Sequence, residues 1–270
     1  ATIGYRSMSP AITTDVLGTV LTSQPELFQD VAANTSLSAS FWVNIALAGF
    51  SILLFIYMGR NVEDPRTQLI FVATMMVPLV SISSYTGLVS GLTVSYVNVP
   101  YPGGGSEEVL LMWGRYLTWA LSTPMILVAL GLLAGSNLTK IFTAVVTDIG
   151  MCVTGLAAAL TTSSLLLRWF WYVISCAFFV AVLYILLVEW PEDARVAGTS
   201  EIFSTLKTLT VVLWLGYPIF WALGSEGLAF LTTAQTSWAY SILDIGAKYL
   251  FAYLLLRWVA ANESIVGDVG

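Results

Sequence analysis

The sequence of 270 residues contains no histidine. This absence excludes metal sites with histidine ligands and every nucleophile that a histidine base activates. Cysteine is also scarce: Cys152 and Cys176 are the only two, and both lie in apolar segments. They form neither a CxxC motif nor the framework of a disulfide-rich protein, so they indicate no redox or metal chemistry.

Charged residues are few as well. They make up 10% of the chain, whereas a soluble domain carries roughly 25%. Hydrophobic residues make up 57%, so soluble globular and disordered proteins are excluded. The net charge of −6 argues against a nucleic-acid partner. The composition therefore indicates a protein whose main partner is the lipid bilayer.

Seven apolar runs are long enough to cross a bilayer, which takes roughly 20 helical residues. They cover residues 38–59, 68–94, 110–134, 141–160, 169–188, 206–224 and 236–259. The sequence thus predicts an all-α membrane protein, a bundle of seven transmembrane helices, in which Trp190-Pro-Glu-Asp ends the fifth helix. We expect residues 1–36 to be an extracellular N-terminal segment, 37–262 the transmembrane domain and 263–270 a cytoplasmic tail.

Lysines and arginines near the helix ends predict the orientation, because cytoplasmic loops are enriched in them. Two lie on the N-terminal side, Arg6 and Arg168. Six lie on the other side, namely Arg60, Arg66, Lys140, Arg195, Lys207 and Arg257. We therefore expect the N-terminus outside the cell and the C-terminus in the cytoplasm.

Ionisable residues inside the spans are the strongest functional signal, because each is costly in lipid. Four lie at or near midspan, namely Arg115, Asp148, Asp244 and Lys248. Asp244 and Lys248 are four residues apart and share one helix face. They form either a structural ion pair or a reactive lysine with its counterion, since a desolvated lysine can form a Schiff base with an aldehyde. The charges alone leave both interpretations open.

Aromatic residues bear on that choice. Trp214, Tyr217 and Trp221 are spaced by three and four residues and share a face of the sixth helix. Such a stripe is often plain packing. Together with Trp119 it is also suited to enclosing a long, flat apolar ligand beside the lysine.

Three motifs carry a resemblance to a known family. They are Arg115-Tyr-Leu-Thr-Trp-Ala-Leu-Ser-Thr-Pro124, Trp214-Leu-Gly-Tyr-Pro218 and Leu243-Asp-Ile-Gly-Ala-Lys248. With them, residues 38–262 resemble the microbial rhodopsins, most closely the halorhodopsin branch of light-driven chloride pumps in haloarchaeal cell membranes. The resemblance implies all-trans retinal bound covalently to Lys248 as a protonated Schiff base, with Asp244 as its counterion.

The resemblance also implies roles for the residues around the chromophore. Tyr85 and Tyr217 are expected to hydrogen-bond Asp244, and Thr123 to bond Asp148. Lys207 and Thr210 are expected on the cytoplasmic release path. The implied retinal pocket consists of Trp119, Thr123, Met151, Gly155, Ser175, Phe179, Trp214, Tyr217 and Trp221.

The third helix indicates which ion moves. Arg115, Thr118 and Ser122 share one face, and proton-pumping relatives have a carboxylate at the position of Thr118. The hydroxyl here cannot hold the Schiff-base proton, and Ala129 is inert where those relatives reload it. The protonated Schiff base, Arg115 and Asp244 sum to +1, which is expensive at low dielectric unless an anion binds. Chloride held by Arg115, Thr118 and Ser122 would neutralise the site. Hydroxyls bonding back to their own helix are the common alternative, which leaves the charge unexplained.

These observations predict an inward chloride (halide) pump rather than an enzyme, driven by isomerisation of retinal from all-trans to 13-cis. A sensory photoreceptor on the same fold and, less favoured, an outward proton pump are the alternatives. We expect a homotrimer; the sequence does not distinguish a chain with a bound carotenoid from one without. Glu226, in the sixth loop, either shapes the anion's access path or is a solvated loop acid.

Overall fold

The computed structural model describes residues 24–268. Seven of its helices are long and apolar enough to cross a membrane, which confirms the predicted bundle. They are α1 (Thr35–Gly59), α2 (Pro65–Val89), α3 (Gly114–Leu133), α4 (Leu138–Leu160), α5 (Leu165–Val196), α6 (Ser200–Leu223) and α7 (Thr233–Ala261).

Polar caps set where several helices begin, because the first backbone N–H groups of a helix have no partner within it. The Asn34 side chain accepts from Leu37 N, and Asp64 accepts from Thr67 N. Thr232 forms a reciprocal capping box with Gln235. Asn137 caps α4 in the same way, and the capped helices α4 and α7 each begin three residues before the apolar runs predicted for them. α6, whose N-cap Thr199 forms no side-chain cap bond, begins six residues before its predicted run.

The connection between α2 and α3 is an antiparallel hairpin, which the sequence analysis did not predict. Strand β1 (Ser95–Pro100) pairs with β2 (Ser106–Leu111). The hairpin takes up residues 110 and 111, which the prediction assigned to the third helix, and α2 ends at Val89 rather than at residue 94. Two features account for the hairpin. Burial alternates along β1, as in a strand with one buried face. The chain reverses at Gly103 to Gly105, where φ is between +90° and +101°, a left-handed backbone that glycine adopts readily.

Two of the helices contain a π-helical turn, at Ile185–Glu189 in α5 and at Ile245–Leu250 in α7. The second turn carries Lys248, and such turns frequently occur at functional sites. In α5 the helix continues beyond its π-turn to Val196, so the prediction that Trp190-Pro-Glu-Asp ends it is wrong. Pro191 lies in the first α-helical turn after the π-turn, where the missing N–H of proline is best tolerated.

Short segments close the two ends of the described chain. Residues 24–33 are helical, and Val31 packs with Leu37, Tyr85 and Leu88. After α7, a short helix α8 (Glu263–Gly267) buries Val266 in the main core. Residues 1–23 of the predicted N-terminal segment and residues 269–270 of the predicted tail lie outside the described residues.

Candidate functional site

The centre of the bundle holds a buried ion pair on α7. Lys248 Nζ lies 3.0 Å from Asp244 Oδ2, and the two side chains are 1% and 2% exposed. Charges this deeply buried need a partner. Lys248 Nζ forms no well-directed hydrogen bond within residues 24–268, so its donor capacity is not used up by Asp244.

Two tyrosines from other helices complete the Asp244 carboxylate. Tyr85 on α2 donates to Oδ2 at 2.6 Å, and Tyr217 on α6 donates to Oδ1 at 2.5 Å. These are the hydrogen bonds that the resemblance implies. They spread the negative charge over both oxygens and hold the carboxylate beside Lys248.

An apolar cavity lies next to this pair, between α3, α4, α5 and α6. Tyr217 belongs both to the cavity wall and to the Asp244 hydrogen bonds, so it joins the two. The lining consists of Tyr116, Trp119, Thr123, Met151, Cys152, Gly155, Tyr172, Ser175, Cys176, Phe179, Trp214, Tyr217, Pro218 and Trp221.

All nine residues expected in a retinal pocket line this cavity. The expected pocket did not include the five other lining residues, which are Tyr116, Cys152, Tyr172, Cys176 and Pro218. Three of these directly follow an expected residue in the sequence, which was an available signal. An elongated apolar aldehyde suits the cavity, because aromatic rings form its walls and a buried amine lies beyond one wall. The residues present therefore fit retinal.

The expected anion-binding residues lie on α3 and are buried. Arg115 Nη2 donates to Ser237 Oγ at 2.6 Å and Nη1 to Tyr85 Oη at 3.3 Å, while Nε has no partner among residues 24–268. The Ser122 hydroxyl also lacks a partner there. Unused buried donors of this kind suit an anion, which accepts hydrogen bonds and donates none.

Thr118 differs from Ser122, because its hydroxyl bonds back to its own helix. Oγ1 donates to the Gly114 carbonyl at 2.9 Å and also contacts Ser84 Oγ, a residue that the sequence analysis did not identify. The back-bonding alternative therefore holds for Thr118 and not for Ser122.

A second buried charged group lies toward the end of the bundle that holds the hairpin. Glu226 is 3% exposed, so its interpretation as a solvated loop acid is wrong. Its carboxylate accepts from Tyr116 Oη, which itself accepts from Trp221 Nε1 at 2.8 Å. Burial raises the pKa of Glu226, and the hydrogen bond from Tyr116 and the charge of Arg168 oppose that rise.

Arg168 fixes the loop that carries Glu226. Its guanidinium is buried and donates to the Glu226 carbonyl at 2.6 and 2.8 Å. It also donates to the carbonyls of Ala159 and Thr161 at 2.8 and 3.0 Å. Arg168 thereby ties the α6–α7 loop to the α4–α5 corner.

Two further predicted features are the Thr123–Asp148 bond and the release-path residues on α6. Asp148 Oδ2 is 2.6 Å from the Thr123 hydroxyl, which also lies 2.7 Å from the Trp119 carbonyl. On α6, Thr210 is buried and its hydroxyl has no partner among residues 24–268, whereas Lys207 is only half-buried. The structure therefore brings Thr210, but not Lys207, into the interior.

Comparison with known proteins gives consistent matches. Residues 35–262 match a family model described as "Bacteriorhodopsin-like protein". A halorhodopsin of Halobacterium sp. (strain SG1) is 75% identical over 248 residues, which cover 92% of this chain and 87% of that protein.

Two solved structures agree with these matches. One, described as "Halorhodopsin, a light-driven chloride pump", matches with a TM-score of 0.85 and 62% identity, covering 87% of this chain and 99% of the other. The second is a bromide-bound form of halorhodopsin from Halobacterium salinarum, with a TM-score of 0.85, 61% identity and coverage of 88% and 99%.

Proposed function

Because the chain belongs to the bacteriorhodopsin-like family, we propose that it is a light-driven chloride pump, a multi-pass protein of a haloarchaeal cell membrane. The observation that carries the anion assignment is the set of buried charges. Lys248, Arg115 and Asp244 leave one positive charge in excess, and α3 supplies no second carboxylate beside them. A halide restores neutrality where lipid and packed side chains cannot.

Lys248 is the attachment point for retinal. Bound covalently to Nζ in the all-trans form, retinal supplies light absorption and an isomerisation to 13-cis that reorients the cationic N–H. Asp244 balances that cation, and Tyr85 and Tyr217 keep the carboxylate in place. Trp119 and Trp214 form walls that limit where the chromophore bends.

Arg115 and Ser122 hold the anion on the extracellular side of Lys248. Each has a buried donor without a partner within residues 24–268, and Thr118 completes the same helix face. Isomerisation of the bound group would weaken the attraction at this site, and the hold of Arg115 and Ser122 alone would then let chloride pass toward the cytoplasmic half. Thr210 and Lys207 lie on that half and guide release, and the buried Thr210 hydroxyl has no partner in the described part of the chain.

The proposal includes the orientation of the chain in the membrane and its oligomeric state. The N-terminus, residues 1–36, lies outside the cell, the bundle spans residues 37–262, and the tail from residue 263 is cytoplasmic. Chloride then moves inward against the membrane potential. We expect the protein to assemble as a homotrimer.

The proposed function is tested by halide titration and by light-driven transport. Adding chloride to chloride-free, retinal-bound protein should shift the visible absorption band, while sulfate at equal ionic strength should not. In cells under light, inward chloride transport should cause passive proton uptake that a protonophore enhances. A spectrum that ignores chloride, or acidification that the protonophore abolishes, would contradict the proposal.

A further inference from the structure

A chain of hydrogen bonds leads from the Arg115 guanidinium toward α1. Arg115 Nη2 donates to Ser237 Oγ at 2.6 Å, and Ser237 Oγ lies 2.6 Å from Ser40 Oγ. Ser40 Oγ donates to the Leu37 carbonyl at 2.7 Å. Both serines are fully buried, away from bulk solvent.

The proton positions follow from the acceptor at the end of this chain. A carbonyl only accepts, so the Ser40 proton points toward Leu37. Ser237 must then donate to Ser40, and its lone pairs remain for Arg115. Every link points in the same direction, and aligned hydrogen bonds of this kind strengthen one another.

Arg115 has a second anchor at its other terminal nitrogen. Nη1 donates to Tyr85 Oη, and Tyr85 donates to Asp244. The rings of Phe41, Tyr85 and Tyr240 lie 5.5, 5.6 and 5.3 Å from Arg115 Cζ. With both terminal nitrogens held, the plane of the guanidinium is fixed, and so is the direction of the unpartnered Nε–H.

We infer that Ser237 is a positioning residue for the halide. Its hydroxyl accepts a hydrogen bond from Arg115 Nη2, and this bond orients the guanidinium so that its remaining N–H donors already face the anion site before the halide binds. An unanchored arginine would lose rotamer freedom on binding, which weakens affinity. Ser237 thus acts on the anion through Arg115, and this inference rests on the proposed halide site.

Halide titration of Ser237→Ala tests the inference. We expect chloride and bromide to bind about tenfold more weakly, as for the loss of a hydrogen bond to a charged group. The halide-saturated absorption band should match that of the parent protein, because no group that touches the chromophore has changed. Ser40→Ala, which leaves the Ser237 acceptor in place, should cause a smaller loss of about threefold.

Ser241→Ala is the matched control. Ser241 lies one turn further along α7, is equally buried and donates to the Ser40 carbonyl at 3.0 Å, but it does not contact Arg115. Its variant should bind halide as the parent does.

The possible failures are distinguishable. If the absorption band of the parent protein does not shift with halide, the proposed function is contradicted. If the parent band shifts and Ser237→Ala binds halide with the parental affinity, only this inference is contradicted. A loss of affinity in Ser241→Ala equal to that in Ser237→Ala also overturns it. If Ser237→Ala forms no pigment, the halide titration of Ser40→Ala tests the inference instead. A halide affinity of Ser40→Ala equal to that of the parent overturns it.

Discussion

Individual buried polar residues in this bundle are held by specific partners. Glu226 shows that such partners only partly offset the loss of hydration on burial. Its carboxylate is removed from water, and the compensation comes from the Tyr116 hydroxyl and the nearby Arg168. Burial is the larger effect, so the pKa of Glu226 lies above its ordinary value of 4.5. The folded protein therefore favours the protonated carboxyl more than the unfolded chain does.

Glu226→Gln should remove a pH dependence of stability. A raised folded pKa means that stability is fully present below pH 4.5 and is lost as the pH rises through the folded value. The midpoint of thermal bleaching should fall over this range in the parent and change less in Glu226→Gln, whose amide still accepts from Tyr116. Glu107→Gln, which changes an exposed acid of the hairpin, should keep the parental slope. Equal slopes in parent and Glu226→Gln would contradict the argument.

The predictable residues of the site were those within short motifs. Lys248, Asp244 and the nine cavity residues follow from motifs and from positions matched to the family, and the structure brings the nine to one cavity. The roles of Ser84, Ser237 and Arg168 were not predicted, because they depend on contacts between segments far apart in sequence. Arg168 in particular has the sequence context of a loop cation, and only packing shows that its guanidinium is buried.

At the scale of the elements, apolar runs predicted the number of helices but not their ends. Hydropathy records lipid contact, whereas a helix begins where its first N–H groups are capped, as at Asp64 and Thr232. The hairpin was missed because β2 continues directly into α3 within one apolar stretch. The π-turn before Trp190 was missed because a proline motif usually predicts a helix end.

Asp64→Ala should weaken the start of α2. Asp64 Oδ2 accepts from the Thr67 N–H at 2.6 Å, and this bond is the main reason that the pKa of Asp64 is lowered. Loss of such a cap costs about 1 kcal/mol, which should appear as a lower midpoint of thermal bleaching. Asp64→Asn keeps an acceptor and should retain most of the stability. A midpoint in Asp64→Ala equal to that of the parent would show that the cap contributes nothing in this context.

For the whole molecule, the location of the buried charges matters more than their sum. Among residues 24–268 the buried cations are Arg115, Arg168 and Lys248, and the buried acids are Asp148, Asp244 and Glu226. Their formal charges cancel when all six ionise. At low dielectric the local groups decide, and only Asp244 forms a salt bridge with one of these cations. Under the proposed function, a mobile anion neutralises the excess charge at the centre.

Thr118→Asp should supply that missing charge from the protein itself. With the new carboxylate beside Arg115 and Lys248, the central group becomes neutral, so chloride should bind at least about tenfold more weakly. The absorption band should then change little when salt is added. Thr118→Val is the matched control: it removes the hydroxyl without adding charge, so the band should still shift with chloride. If Thr118→Asp titrates with chloride as the parent does, the anion is not held by the excess charge of Arg115 and Lys248.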